Sequence, residues 1–148
     1  MIPILDQLWH IYQTEELWHE IRLPEQDFKG VKQYLIDKGL LWVEVHNGIV
    51  VGYMEVWKLQ YAQWGRISCG ELLYTYDEDL VSGNIAYIAN LWISEAHRGS
   101  NNDGFTLIDD MQDKFVSIFG SCKYVALKRK HGLPYRVYPM KRIAKIGV

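Results

Sequence analysis

The stretch IANLWISEAHRGSNNDGFTLIDDM, residues 88–111, decides how this sequence folds. An apolar run ends at His97-Arg98-Gly99, a polar loop follows, and a helical pattern begins at Phe105. The first N–H groups of a helix lack intrahelical partners, so a loop leading into a helix can hold an anion through backbone amides. Arg98-Gly99-Ser100-Asn101-Asn102-Asp103-Gly104 has the Gly and Asn content such a loop needs, and Arg98 adds a charge-assisted contact. Asp103 argues the other way, because a carboxylate in the first turn caps the helix and competes with an anion for the same amides. On local chemistry alone the loop reads equally as an anion site and as a plain strand-to-helix turn.

Outward from it the elements are punctuated. Upstream, residues 85–94 form a strongly apolar run, expected as a buried central strand. Downstream, Phe105, Ile108, Met111, Phe115 and Ile118 mark a helix closed by Gly120, and residues 122–128 form another strand. LLWVEVHNGIVVGYMEVWKL (40–59) places two β-rich runs around Asn47-Gly48, the preferred pair for a tight hairpin. Glu44 and His46 alternate with Val43 and Val45, which predicts one wet face. Pro24 to Lys38 reads as a helix with Phe28, Val31 and Leu35 on one face and Gly39 as its stop. Residues 4–21 read as one broken helix or two short ones. The segment 60–83 predicts a further strand or an irregular insertion, with Asp77-Glu78-Asp79 as a solvated turn. The end, LPYRVYPMKRI, predicts an extended segment broken by Pro139.

A strand, helix, strand unit following a hairpin implies an α+β fold: a mixed, mostly antiparallel central sheet with helices on both faces. With 148 residues, no repeat and no linker, the expectation is a single domain over 1–148. The two cysteines, Cys69 and Cys122, have no metal-ligand spacing, and both are expected as buried thiols; no metal site is predicted. Asp6 interrupts the N-terminus where a signal peptide would be apolar, and no run reaches membrane-spanning length, so a cytoplasmic location is expected.

The order of elements, with Gly52 just past the hairpin turn, resembles the GNAT superfamily of acyl-CoA-dependent N-acyltransferases. In that family the strand is followed by R-x-x-G-x-G/A, whose amides hold the pyrophosphate of coenzyme A. Here AYIANLWISEAHRG resembles the approach, with Ile88, Leu91 and Ile93 as strand positions, and Gly104-Phe105-Thr106-Leu107-Ile108 with Met111 resembles the helix start. Between them the sequence departs from the signature. Ungapped, Asn101 and Asp103 stand where small residues belong; with one inserted residue, Gly104 recovers the last Gly and Asn102 stands for the first. The truncated C-terminal end is similar to small phage-encoded members.

The resemblance implies transfer of an acetyl group from acetyl-CoA to an amine acceptor, a small molecule or a protein. It implies cofactor contacts from the strand at Trp92 and Ile93 and from Arg98, Gly99, Ser100, Asn101, Asn102, Asp103 and Gly104. It also implies a Tyr that protonates the leaving thiolate, for which Tyr135 and Tyr138 are the candidates, and a carboxylate base. No acid lies within 85–94, which leaves Glu71 or Glu95 for that role.

Two other functions stay open. Asp103 and the displaced glycines favour a catalytically inactive GNAT-like protein that acts as a binder or inhibitor through a protein partner. Residues 114–148 hold nine Lys/Arg and no acid against a balance of −11 in residues 1–113. Lys128-Arg129-Lys130-His131, Arg136, Lys141, Arg142 and Lys145 interleave with Tyr135 and Tyr138, as in segments that contact nucleic-acid backbones and stack on bases. The acidic body would repel phosphate, which ranks nucleic acid last.

Overall fold

Asn47 and Gly48 both adopt positive φ, 54° and 79°. That conformation matches the twist of paired strands, so β1 (Leu41–His46) turns directly into β2 (Ile49–Leu59). The computed structural model describes residues 2–14, 23–71, 73–97, 103–128 and 135–141, of which 103–109 and 128 by their backbone alone. Before the hairpin come α1 (Ile4–Thr14) and α2 (Glu25–Asp37); after it come α3 (Tyr61–Ser68), β3 (Ile85–Ile93), α4 (Asp103–Phe119), β4 (Tyr124–Lys128) and β5 (Tyr135–Pro139). The strands lie in the order β1-β2-β3-β4-β5, antiparallel except for the β3–β4 pair, which α4 connects as a crossover. This is the mixed, mostly antiparallel sheet that the sequence implies.

Each face of the sheet has its own core. On one, Leu8, Ile11 and Tyr12 of α1, Phe28 and Leu35 of α2 and Ile67 of α3 cover Leu41, Tyr53, Leu59, Ile85 and Tyr87. On the other, Met111, Phe115 and Phe119 of α4 cover Met54, Val56, Ala86 and Val125. The helix stop at Gly39 is a Schellman motif: Leu40 N–H donates to the Leu35 carbonyl at 2.9 Å and Gly39 N–H to that of Ile36 at 3.0 Å, with Gly39 at φ 74°.

Four readings change. The segment 60–83 holds a helix, α3, where a strand or irregular insertion was expected. A capping box opens it, Gln60 N–H donating to Gln63 Oε1 at 2.8 Å. α3 is only eight residues long, and its buried face carries Gln63, polar but bonded also to Glu78 and to the Asp79 carbonyl, so it offers few apolar repeats to read. Glu78 is not solvated but accepts from Arg66 at 3.0 Å. Cys69 is exposed, because it caps the C-terminus of α3 instead of sitting inside it; Cys122 is buried. Glu44 lies under α4, paired with Lys114 at 3.2 Å, so the β1 face expected to be wet is partly covered. The first predicted helix is described only as far as Thr14.

Candidate functional site

The parallel ladder between β3 and β4 runs from Ile85↔Tyr124 to Ile88↔Leu127. Among the described residues it ends there, while β3 continues to Ile93. At the same point β3 changes phase. Glu55 of β2 is opposite Asn90 and Val56 is opposite Ile88, so Ala89 has no opposite number: a β-bulge. Ala89 and Asn90 therefore both face α2, where Ala89 joins the core and Asn90 reaches Glu55. Leu91 and Ile93 are thereby placed on the α4 side with Ile88. Strict alternation would have sent Asn90 and Trp92 there instead.

Where the strands part, a cavity of about 210 Å³ opens on the α4 side. Ile88, Leu91 and Ile93 form one wall with Met54 of β2; Val125, Leu127 and Tyr138 form another; Met111, Gln112 and Phe115 of α4 close it. Apart from Gln112 and the Tyr138 hydroxyl its walls are apolar. Leu91 is 56% exposed, an aliphatic side chain held at the mouth.

The sequence candidates divide around this cavity. Ile93 and Tyr138 line it. Trp92 faces the opposite side, stacked on Tyr53 at 5.8 Å, with its indole Nε1 buried and without a hydrogen-bond partner among the described residues. Tyr135 is three residues from Tyr138 on a strand and so faces away from it, packed edge-on against Trp64 at 5.3 Å. Asp103 and Gly104 open α4, whose first N–H groups have no intrahelical partner and whose dipole is positive at that end. Arg98, Gly99, Ser100, Asn101 and Asn102 lie outside the described residues. Neither acid named as a base approaches the cavity: Glu71 pairs with Arg66 at 2.9 Å and Glu95 is exposed.

The acid that sequence reading missed is Glu55. It is 2% exposed in the middle of β2. Lys32 of α2 donates to Oε1 at 2.7 Å, Trp57 Nε1 donates to Oε2 at 2.8 Å, and Asn90 Nδ2 stands 3.5 Å from Oε1. The signal was available: in GYMEVWKL, Glu55 falls in phase with Tyr53, Trp57 and Leu59, an acid at a core position. Beside this group, burial holds the Tyr87 phenol well above its ordinary range, with Tyr135 and Glu55 adding to the effect. A second missed group ends β3: Ser94 Oγ lies 2.7 Å from His97 Nδ1, and the His97 ring meets His46 edge-on at 5.5 Å.

No family model matches this sequence, and no curated protein does. Solved structures do match. The loading GNATL domain of CurA from Lyngbya majuscula aligns with 86% of the chain at 12% identity, with a TM-score of 0.50. The GphF GNAT-like decarboxylase, solved in complex with isobutyryl-CoA, aligns with 86% of the chain at 16% identity, with a TM-score of 0.53. The fold is GNAT-like. The chain spans 62% of the length of each of these two structures. At such identities the likeness concerns the fold alone, and it agrees with the GNAT-like architecture implied by the order of elements. Among the described residues no three His, Cys, Asp or Glu side chains gather as a metal ligand set, and no helix is long and apolar enough to cross a membrane.

Proposed function

We propose that the protein binds an acyl-CoA where β3 and β4 part and transfers the acyl group to an amine. The observation that carries this reading is the apolar cavity of about 210 Å³ at the end of the β3–β4 ladder. A gap between strands offers backbone amides and carbonyls to a pantetheine arm, and greasy walls suit a short aliphatic acyl chain. The GphF structure, solved with isobutyryl-CoA, makes a short branched chain as reasonable a passenger as acetyl. The amides opening α4 at Asp103 and Gly104 would hold the pyrophosphate, and Arg98, a sequence candidate outside the described residues, would add its charge.

In the transfer the amine nitrogen attacks the thioester carbonyl, a C–N bond forms and the C–S bond breaks. Tyr138, the one ionisable group among the described residues of the cavity wall, would return a proton to the leaving sulfur. The amine proton passes to water or to a second amine, because Glu55, the buried acid of β2, faces α2 across the sheet from the cavity. The test is calorimetric titration of acetyl-CoA and isobutyryl-CoA into the protein and into Arg98→Ala and Leu91→Asp variants, with release of free CoA followed in the presence of amines. Micromolar binding weakened in both variants supports the reading. No binding at millimolar concentration sinks it.

One observation favours a second reading, a GNAT-like binding protein that acts through a protein partner without catalysis. Both oxygens of Glu55 already accept hydrogen bonds, an arrangement suited to holding the fold together. Acyl-CoA binding with no CoA release across an amine panel would favour it.

A further inference from the structure

A second cavity, of about 490 Å³, lies on the opposite face between α2 and the segment 73–76. Its aromatic members are Tyr12, Phe28, Tyr74 and Tyr76. Phe28 and Tyr12 form the floor, buried and 4.5 Å apart between ring centroids, while Tyr74 and Tyr76 stand at the rim, 73% and 57% exposed. Tyr76 is held in place from two sides. Its ring packs on Tyr34 at 4.9 Å, and its hydroxyl lies so close to Gly30 that a β-carbon there would stand 3.3 Å from it.

The charges on the wall do not cancel. Lys32 lines the cavity, but its ammonium is matched by Glu55 at 2.7 Å. Asp27 lines it too, and no described cation pairs with it; the neighbouring Lys29 is taken by Asp6 and Glu25. An aromatic cleft beside a carboxylate that no described cation pairs with attracts an organic cation: the carboxylate takes the charge, and the carbon skeleton displaces water from the rings. Among the described residues, an anionic ligand would meet Asp27 and find Lys32 already neutralised by Glu55.

We propose that this cavity binds an organic ammonium, an aryl- or alkyl-substituted primary amine whose charged end faces Asp27 and whose apolar end lies between Phe28 and Tyr76. This site lies across the sheet from the first cavity, and its ligand is separate from the acyl-transfer reading.

The experiment uses the whole chain without any acyl-CoA. Ligand-observed NMR compares three probes of one shape: 2-phenylethylamine, its trimethylammonium analogue, and 3-phenylpropanoate. The two cations are expected to bind and the carboxylate to bind at least about tenfold more weakly. Asp27→Asn is expected to cut cation affinity about fivefold, and Tyr74→Ala to weaken it without altering the thermal midpoint, since both side chains are exposed. Equal binding of cation and carboxylate, no binding of either cation at millimolar concentration, or an Asp27→Asn variant that binds like the parent would each overturn the proposal. No acyl-CoA is present, so failure of acyl transfer and failure of this site give different results.

Discussion

Replacing Glu55 by glutamine removes one charge and leaves the shape of the β2 core intact. At 2.7 Å and an effective dielectric of about 20, the attraction between Lys32 and Glu55 is about 6 kcal/mol before the loss of hydration is set against it. In the variant that attraction goes, while Lys32, with 13% of its side chain exposed, still gives up most of its water. Removing one member of a buried pair costs about 3–5 kcal/mol, and the partial exposure of Lys32 places this case near 3. The glutamine oxygen can still accept from Trp57 Nε1, so the indole loses little. Glu55→Leu also strands that donor, adding about 1–2 kcal/mol. Lys32→Met with Glu55→Leu removes both charges together and is expected within about 1 kcal/mol of the parent. Urea unfolding of the parent, the three single variants and the double variant, followed by circular dichroism, measures these differences directly. A Glu55→Gln loss below about 0.5 kcal/mol, or a double-variant loss equal to the sum of its two singles, would refute the reasoning.

Gly83→Ala places a β-carbon 1.9 Å from the Leu59 carbonyl carbon and 2.4 Å from the Gln60 nitrogen, both backbone, so a loss of about 3 kcal/mol is expected by thermal melting. Gly30→Ala meets only the end of the Tyr76 side chain and should lose far less in the same assay. The exposed Cys69 should react at once with a thiol reagent, whereas Cys122, buried and with its thiol pushed up by desolvation, should react only as the chain unfolds; two equal, well-separated phases are the expected trace. Tyr87, raised by burial, should stay neutral as exposed tyrosines ionise in an ultraviolet titration. A group raised on folding contributes stability that is present below its unfolded value of about 10 and is lost as pH rises above it. Tyr87→Phe should therefore flatten the alkaline limb of the stability profile.

What the sequence made legible were elements carrying their own period and punctuation: α2 between Pro24 and Gly39, the Asn47-Gly48 hairpin, the apolar run of β3, and the helix that Gly120 ends. α3 escaped because its buried face includes Gln63, whose satisfaction depends on Glu78 and Asp79 fifteen residues and more away. Glu55 escaped because what makes a buried acid tolerable there, the Lys32 ammonium, comes from α2 twenty-three residues away. The opposite facing of Tyr135 and Tyr138 was implicit in their odd spacing on an extended segment. So was the bulge, since Ile88, Leu91 and Ile93 cannot share a face on a regular strand. The loop at 98–102 is where local chemistry left two readings, and its family signature is the part that departs.

The unmatched residue at Ala89 has a consequence for ancestry. Deleting it would leave every other side chain of β3 on the face it now occupies, because Asn90 would simply take the vacated position. Both cores would survive the loss. The bulge would not, and β3 would pair with β2 in unbroken register past the point where the cavity begins. A single-codon deletion would thus alter the edge of this cavity with no change to the residues that hold the two layers together.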